Sequence, residues 1–116
     1  IANQSLACLD LTRNYLQDSG IKLLCKGLTN KDCVLQELRL VDCGLTSSCC
    51  ADLCSFITTN RTLTMLDLSK NTVDDFGLKV LCEGLRHPGC TIQDLRFKEC
   101  NFFPSYCEDL ANILSN

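Results

Sequence analysis

Leucine and isoleucine recur along the chain in one template, L-x-x-L-x-L-x-x-N/C. The template begins at Leu6, Leu35, Leu63 and Ile92, so successive units start 29, 28 and 29 residues apart. Its fourth and sixth positions are apolar with an outward-facing residue between them, which is the alternation of a short β-strand. The pattern therefore predicts four repeats, each of which begins with a strand.

The second half of each unit predicts an amphipathic helix. Apolar residues lie at i, i+3, i+4 and i+7, the spacing of a buried helical stripe. A strand and a helix of this size cannot bury their apolar faces alone, so each unit must stack on its neighbours. The four columns of the stripe are Ile21, Cys50, Leu78 and Cys107; Leu24, Leu53, Leu81 and Leu110; Cys25, Cys54, Cys82 and Ala111; and Leu28, Ile57, Leu85 and Leu114.

Residues that start and stop helices bound these segments. Asp18-Ser19 and Asp74-Asp75 are expected to supply N-cap oxygens and negative charge at two helix starts. Gly27 and Gly84 lie near the expected helix ends, where glycine eases termination, and Pro88 prevents further helix.

Units one and three are one type of repeat, and units two and four are another. A shift of 57 residues places "DLTRN" on "DLSKN" and "LCKGL" on "LCEGL". The whole chain, 1–116, is thus predicted to be an α/β leucine-rich-repeat horseshoe of about four units. This right-handed β-α superhelix has a concave parallel sheet and convex helices.

The segments "LRLVDCGLT", "GIKLLCKGL" and "GLKVLCEGLRHPGC" resemble the ribonuclease-inhibitor-like class of leucine-rich repeats. Within that class, "LCEGLRHPGC" is similar to repeats of cytoplasmic NLR proteins of the pyrin-domain-containing subfamily. The resemblance implies an interaction, sensing or autoinhibitory module in innate immune, inflammasome-related signalling. It also implies a protein partner, or the nucleotide-binding NACHT domain of the same chain, which would bind any ATP.

The chain has no G-x-x-x-x-G-K-[ST] phosphate loop and starts and stops within a repeat, so we expect a fragment of a larger multidomain protein. The alternative within the same class is a stoichiometric enzyme inhibitor like ribonuclease inhibitor. That protein uses a strongly acidic, tryptophan-bearing concave surface. This chain has no tryptophan and a formal net charge of −3.

Two columns of charged residues are expected to face the concave opening. Their signs alternate strictly, which predicts either a polar binding surface or lateral pairing between adjacent strands. Lateral pairing is the simpler interpretation, with ~0.2–1 kcal/mol per exposed pair. Alternation also cancels the potential along the face, so no nucleic-acid partner is expected. The columns are Asp10, Arg39, Asp67 and Arg96, then Arg13, Asp42, Lys70 and Glu99.

Two aromatic residues distinguish unit four. Phe103 occupies the column of Gln17, Thr46 and Asp74, and Tyr106 the column of Gly20, Cys49 and Gly77. They are expected either to cover a following repeat or to form a small partner-binding patch.

Eleven cysteines in 116 residues raise the question of a chemical site, above all in "DCGLTSSCCADLC". The odd count, the absence of a signal peptide and the leucine-rich spacing favour free thiols in a reducing, cytoplasmic setting. Cys50 and Cys54 belong to the helix stripe. Cys43 shares the N/C column with Asn14, Asn71 and Cys100, where we expect asparagine to make stronger hydrogen bonds than a thiol. Cys49 remains an unexplained thiol.

No catalytic, metal or membrane role is predicted for this segment. The single histidine, His87, could in principle pair with Cys82 or Cys90, but it lies in an inter-repeat turn and Cys82 lies in the helix stripe. Cys50 and Cys54 lack the second short pair that a structural zinc site needs. No apolar run reaches the ~20 residues of a membrane helix.

Overall fold

The computed structural model describes residues 7–29 and 33–100, in which four short strands alternate with three helices. The predicted leucine-rich-repeat fold is confirmed. The fourth predicted helix, with Cys107, Leu110, Ala111 and Leu114, lies outside the described residues. In chain order the elements are β1 Cys8–Asp10, α1 Gln17–Leu28, β2 Glu37–Arg39, α2 Cys50–Thr59, β3 Met65–Asp67, α3 Asp75–Leu85 and β4 Asp94–Arg96; a 3₁₀ helix, Ser47–Cys49, leads into α2.

The strands form one parallel sheet in the order β1-β2-β3-β4. Leu9 pairs with Leu38, Leu38 with Leu66, and Leu66 with Leu95, so neighbouring strands differ by one repeat length. Since β1, β2 and β3 are each followed by a helix on the same side, the chain returns to start the next strand in parallel.

The predicted helix stripe forms the core between the helices and the sheet. Among its twelve positions in units one to three, nine are buried, including Ile21, Leu53 and Leu78. Leu24, Leu28 and Cys54 are partly exposed. Two of these three belong to unit one, at one end of the described stack.

The predicted N-cap is confirmed for α3 and wrong for α1, where Asp18 supplies only the predicted negative charge in the first turn. The side chain of Asp74 caps α3 by accepting a hydrogen bond from Gly77 N at 3.2 Å. Helix α1 instead begins at Gln17, and its N-cap residue Leu16 makes no side-chain cap. Asp18 lies one place after the capping column, which in this unit is occupied by glutamine.

The residues one place after the capping column connect consecutive repeats. Asp18 accepts hydrogen bonds from Thr46 N at 2.9 Å and from Thr46 Oγ1 at 2.6 Å. Ser47 makes the same connection one repeat later, because its Oγ donates to Asp74 Oδ1 and accepts from Asp74 N at 3.1 Å. These bonds hold the helix starts of neighbouring units at a fixed spacing.

Asn71 is the most heavily hydrogen-bonded side chain of the N/C column. Its Oδ1 accepts from Cys43 N at 2.9 Å and Leu45 N at 3.1 Å. Its Nδ2 donates to the carbonyls of Leu40, Leu68 and Ser69 at 2.8, 2.9 and 3.2 Å. One buried amide thus satisfies five backbone groups of two adjacent repeats.

The cysteines of the same column make fewer bonds than Asn71, as predicted, whereas Asn14 does not follow the prediction, since it makes one bond, to Thr12 O at 3.5 Å. Cys43 Sγ contacts the carbonyl oxygens of Leu11 at 3.1 Å and Val41 at 3.5 Å, and Cys100 Sγ contacts that of Leu68 at 3.3 Å. A thiol is a weak donor and accepts poorly, so it cannot replace both halves of the amide.

The second charged column has an unpredicted backbone conformation. Arg13, Asp42, Lys70 and Glu99 all have positive φ, between 54° and 64°. For residues other than glycine this left-handed conformation costs roughly 1–2 kcal/mol each. It turns the chain out of each strand, and the amides of Arg13, Asp42 and Lys70 each donate to a carbonyl of the next repeat at 2.8–3.0 Å.

The glycines expected to end helices serve a different purpose in α3. Both α1 and α3 continue one residue beyond the glycine, and both C-caps have right-handed backbone conformations. A Cβ on Gly84 would lie 2.9 Å from Cys54 Sγ and 3.1 Å from Ile57 Cδ1. Gly84 therefore permits close packing of α3 on α2. The equivalent Cβ on Gly27 would have no atom within 4 Å.

Alanine at these two equivalent glycines should have opposite effects. Gly84→Ala forces α2 and α3 apart and should lower the free energy of unfolding by about 1–3 kcal/mol. Gly27→Ala meets open space and should raise it by up to about 1 kcal/mol, since alanine favours helix. Urea unfolding followed by circular dichroism measures both. Equal effects of the two variants would contradict the packing role.

Asparagine-to-alanine changes provide a second matched pair. Asn71→Ala leaves buried backbone groups without partners and should cost about 3 kcal/mol or more. Asn14→Ala removes one exposed bond, to Thr12 O at 3.5 Å, and should be nearly neutral. The same unfolding measurement applies. A loss at Asn71 no larger than at Asn14 would show that the bonds of Asn71 contribute little.

Candidate interaction surface

Two rows of side chains form the concave face of the sheet. The strand register places Asp10, Arg39, Asp67 and Arg96 side by side, in the predicted order. The first residue of each strand points to the same face, because side chains two residues apart share a face. This adds a second row, which the sequence analysis did not single out: Cys8, Glu37, Met65 and Asp94.

The arginines of this face pair along their own strands. Arg39 Nη2 lies 3.1 Å from Glu37 Oε1, and Arg96 Nη2 lies 2.8 Å from Asp94 Oδ2. A second bond, from Arg96 Nε to Asp94 Oδ1 at 3.2 Å, makes the latter pair bidentate. The short contacts of both arginines therefore run along their own strands. Charges on adjacent strands still attract one another, since Arg39 contributes to the lowered pKa of Asp10 and Asp67 to the raised pKa of Arg96.

The two aspartates of the row, Asp10 and Asp67, bond to backbone amides of their own repeats and not to the arginines. Asp10 Oδ1 accepts from Thr12 N at 3.0 Å, and Asp67 Oδ1 accepts from Ser69 N at 3.0 Å. Each carboxylate is thus held by the turn that follows its strand. Across residues 7–29 and 33–100, both ion pairs shorter than 4 Å run within one strand.

A shallow depression of about 320 Å³ lies between the two ion pairs. Its floor is Met65, which is 5% exposed, and the adjacent Asp67 is 7% exposed. The ion pairs of β2 and β4 stand on either side, two strands and therefore about 9.6 Å apart. The lining is completed by polar side chains at the strand starts, Thr64 and Gln93.

The charges on this face stabilise one another. Hydrogen bonds from Arg96, and its positive charge, lower the pKa of Asp94, and the more distant Arg39 adds to the effect. The bonds to Thr12 lower the pKa of Asp10 in the same direction. These groups therefore stay ionised at neutral pH.

The thiols of the cysteine-rich segment, residues 42–54, are mostly buried. Cys43, Cys49 and Cys50 are fully buried, and Cys54 is partly exposed. The pKa of Cys49 is raised by its contact with Cys50, by burial and by nearby Asp18, so the thiolate is disfavoured. Burial likewise raises the pKa of Cys25 to about 12. Cys49, the unexplained thiol of the sequence, is part of the core.

The part of the chain that the structure describes contains no assembled metal site. The ten cysteines within it are free thiols, and no group of three or more potential metal ligands occurs there. His87 is exposed, and its Nδ1 accepts a hydrogen bond from Gly89 N at 3.0 Å. That bond belongs to the inter-repeat turn.

Phe103 and Tyr106 lie outside the described residues, so their two alternatives remain predictions. Within the described ranges, no helix is both long and apolar enough to cross a membrane.

Comparison with known proteins agrees with the repeat pattern. The family model "Leucine Rich repeat" matches residues 2–25 and 59–82. The two matches start 57 residues apart and fall on units one and three, which the sequence analysis assigned to one type. Together with the parallel sheet and outer helices, they define the chain as a leucine-rich-repeat protein.

Sequence similarity to individual proteins shows which leucine-rich-repeat proteins the chain resembles. The chain is 49% identical over 114 residues to mouse NACHT, LRR and PYD domains-containing protein 14, covering 98% of the chain and 12% of that protein. It is 46% identical over 112 residues to the human protein 14, and 45% identical over 115 residues to rat NACHT, LRR and PYD domains-containing protein 3. These matches cover 97% and 99% of the chain, and 10% and 11% of the relatives. The chain is a leucine-rich-repeat segment of this NLR family, as its motifs predicted.

A solved structure supports the fold alone. The chain "Leiomodin-1 Actin-Binding Site 2 (ABS2)" superposes with a TM-score of 0.79 at 13% identity, covering 97% of this chain and 81% of that one.

Thiol titration tests the prediction that all cysteines are free thiols that bind no metal. We expect eleven reactive thiols after denaturation and no bound zinc. In the native chain the exposed Cys8 should react first, because buried thiols with raised pKa values are protected. Cys8→Ser should remove that fast phase. Fewer than eleven thiols without reductant, or stoichiometric zinc by metal analysis, would contradict the assignment.

Acidification should weaken the Asp94–Arg96 pair. A carboxylate whose pKa is lowered by folding stabilises the fold above its unfolded value of about 3.9 and loses this effect as pH falls through the folded pKa. Asp94→Asn should therefore lower the urea midpoint near neutral pH, and the difference should shrink as the pH falls below the unfolded value of about 3.9. In an Arg96→Gln background, the effect of Asp94→Asn should become smaller at neutral pH. An unchanged effect in that background would show that Arg96 is not the cause.

Proposed function

We propose that this chain is the protein-interaction module of an NLR-type innate immune receptor, acting in sensing or autoinhibition. It would work in the cytoplasm, without catalytic activity and without a cofactor of its own. ATP would bind a NACHT domain elsewhere in the same polypeptide. The family membership supports this proposal, since the matched relatives are named for NACHT, LRR and PYD domains.

The concave face is the surface that we assign to binding. Arg39 uses one N–H in its bond to Glu37 and Arg96 uses two toward Asp94, while each guanidinium carries five. The remaining donors are available to a partner's carboxylates or carbonyls. The ion pairs hold both arginines in place, so little side-chain entropy is lost on binding.

The chemistry of the face favours a folded protein over a nucleic acid. Acidic and basic side chains alternate across it, so no continuous positive surface is available to phosphates. Met65 and the strand-start residues between the arginines form a floor that a partner side chain can contact. The proposed partner is therefore a protein surface, either a separate protein or the NACHT domain.

A binding measurement with a defined domain tests this function. The recombinant NACHT domain of the mouse relative, protein 14, would be titrated with the 116-residue chain and followed by calorimetry. We expect saturable binding that is lost, by about tenfold or more, in the double variant Arg39→Ala/Arg96→Ala. Lys22→Ala/Lys26→Ala, on the convex helix α1, serves as a control and should bind normally.

Two results would overturn the proposal. Equal loss in the concave and convex variants would remove the concave face as the binding site. Tight binding of a pancreatic-type ribonuclease, with no binding of the NACHT domain, would favour the inhibitor alternative. Retained thermal unfolding temperatures of the variants would show that the changes in binding do not come from misfolding.

A further inference from the structure

Asp67 is a nearly buried carboxylate without an ion-pair partner in the described ranges, 7–29 and 33–100. It lies in the middle of the concave row and is 7% exposed. The two ion pairs of those ranges use other carboxylates, Glu37 and Asp94. A charge removed from water is costly unless an opposite charge and hydrogen bonds compensate it. Asp67 is therefore a place where an added cation would be stabilised.

One oxygen of Asp67 remains available for bonding. Its Oδ1 accepts from Ser69 N at 3.0 Å, whereas Oδ2 accepts no hydrogen bond from the described residues. Every buried side-chain oxygen in those residues has a partner, so Oδ2 must reach solvent. Asp67 shares the concave side of β3 with Met65, because side chains two residues apart share a face. Oδ2 can therefore accept from a partner on that face.

The charges around this oxygen leave an excess of one negative charge, because three carboxylates face two guanidiniums. Each guanidinium is bonded to the carboxylate two residues earlier on its own strand. Those carboxylates nevertheless remain 44% exposed in Glu37 and 47% exposed in Asp94, so they can accept further hydrogen bonds. The surface is therefore complementary to one positive charge.

Met65 supplies an apolar surface beside these carboxylates. It is the apolar residue among the described residues that line the 320 Å³ depression, and its neighbours there are polar or charged. Lysine and arginine lay their aliphatic stems on apolar surface and keep the charged end among polar groups. Met65 and Asp67 offer these two surfaces about 6.8 Å apart along one strand.

We propose that the depression over Met65 binds one basic side chain, lysine or arginine, of the protein partner. This inference rests on the proposed function, since it names the residue that the concave face recognises. The stem lies on Met65, and the charged end donates to Asp67 Oδ2 and to the exposed carboxylates on either side. An acidic side chain would increase the excess negative charge, and an apolar one would remove water from carboxylates without replacing its hydrogen bonds.

NMR of Met65 tests this proposal directly. Met65 is the only methionine of the sequence, so a ¹³C-methyl label on methionine gives one signal at the floor of the depression. The chain would be released from a cleavable fusion, so that no initiator methionine is added. It would be titrated at constant ionic strength with the amides of N-acetyl-arginine and N-acetyl-lysine. The amides of N-acetyl-glutamine and N-acetyl-glutamate serve as neutral and acidic controls.

We expect a saturable shift of the Met65 methyl signal with at least one basic amide and no saturable shift with the two controls. The basic amides should bind more weakly as salt is added, because the attraction is electrostatic. A saturable shift with the glutamate amide, or equal shifts with the glutamine and basic amides, would overturn the proposal.

Two aspartate variants locate the binding. Asp67→Asn keeps an oxygen for Ser69 N and removes the charge, and it should weaken binding of the basic amides by about tenfold. Asp10→Asn is the matched control, because Asp10 makes the same type of turn bond in the same row, two strands away. It should change the affinity by less than about twofold. Equal weakening by both variants would overturn the proposed location.

Glu37→Gln provides an independent variant at an exposed position. It should weaken binding of the basic amides by about twofold or more, because one of the three carboxylates becomes neutral. Urea midpoints would be measured for all three variants. An unchanged affinity in folded Glu37→Gln and folded Asp67→Asn would show that these carboxylates do not hold the cation, and would overturn the proposal.

The NACHT-domain titration separates this inference from the proposed function. Asp67→Asn should weaken binding of that domain by about tenfold, and Asp10→Asn should leave it unchanged. Binding that is lost in Arg39→Ala/Arg96→Ala but unchanged in Asp67→Asn would overturn the basic-side-chain site and leave the proposed function intact. Saturable binding of a basic amide without any binding of the NACHT domain would support the site and contradict that domain as the partner.

Discussion

Every repeat of this protein depends on burying an apolar side that it cannot bury alone. The strand leucine and the helix stripe of one unit meet the next unit at a spacing of one repeat length, and the backbone hydrogen bonds follow the same spacing. Asn71 shows how strict this constraint is, since its amide bonds to backbone groups on both sides of one repeat boundary. Stacking therefore fixes the position of each strand relative to its neighbour, and with it the composition of the concave face.

The concave face is a consequence of that register. Charged residues of alternating sign are brought together by parallel pairing, yet each arginine bonds to the carboxylate two residues earlier on its own strand. The aspartates between them are held by turn amides. The result is a set of side chains with defined positions and small net charge, suited to recognition by shape and hydrogen bonding more than by long-range attraction.

The repeat template, the helix stripe and the N/C column could be predicted because each follows from a regular spacing of residue types in the sequence. The strand order and parallel register followed from the same spacing. Details that depend on one-residue offsets could not be predicted. Asp18 lies one place beyond the capping column, so it bonds to Thr46 and does not cap α1. The pairing of Arg39 with Glu37 on its own strand likewise depends on side-chain conformation, which the spacing of residues does not determine.

The left-handed column was also hidden, because its residues, Arg13, Asp42, Lys70 and Glu99, include three types that have no preference for positive φ. Aspartate is enriched at positive φ, but Asp42 alone is too weak a signal to predict this conformation for the whole column. The role of Gly84 in α3 could not be predicted either, because it depends on a contact with another helix. Glycine near a helix end suggests termination, whereas the reason for Gly84 is a neighbouring sulfur atom that no local pattern reveals.

The close contact between α2 and α3 has a consequence for how the protein unfolds. In a linear array, stability is the sum of each unit's own stability and the coupling between neighbours. Two glycines bring α3 within van der Waals reach of α2, which strengthens the coupling between a second-type unit and the first-type unit after it. The thermodynamic building block of such an array is then a pair of about 57 residues, and thermal fraying should proceed two repeats at a time.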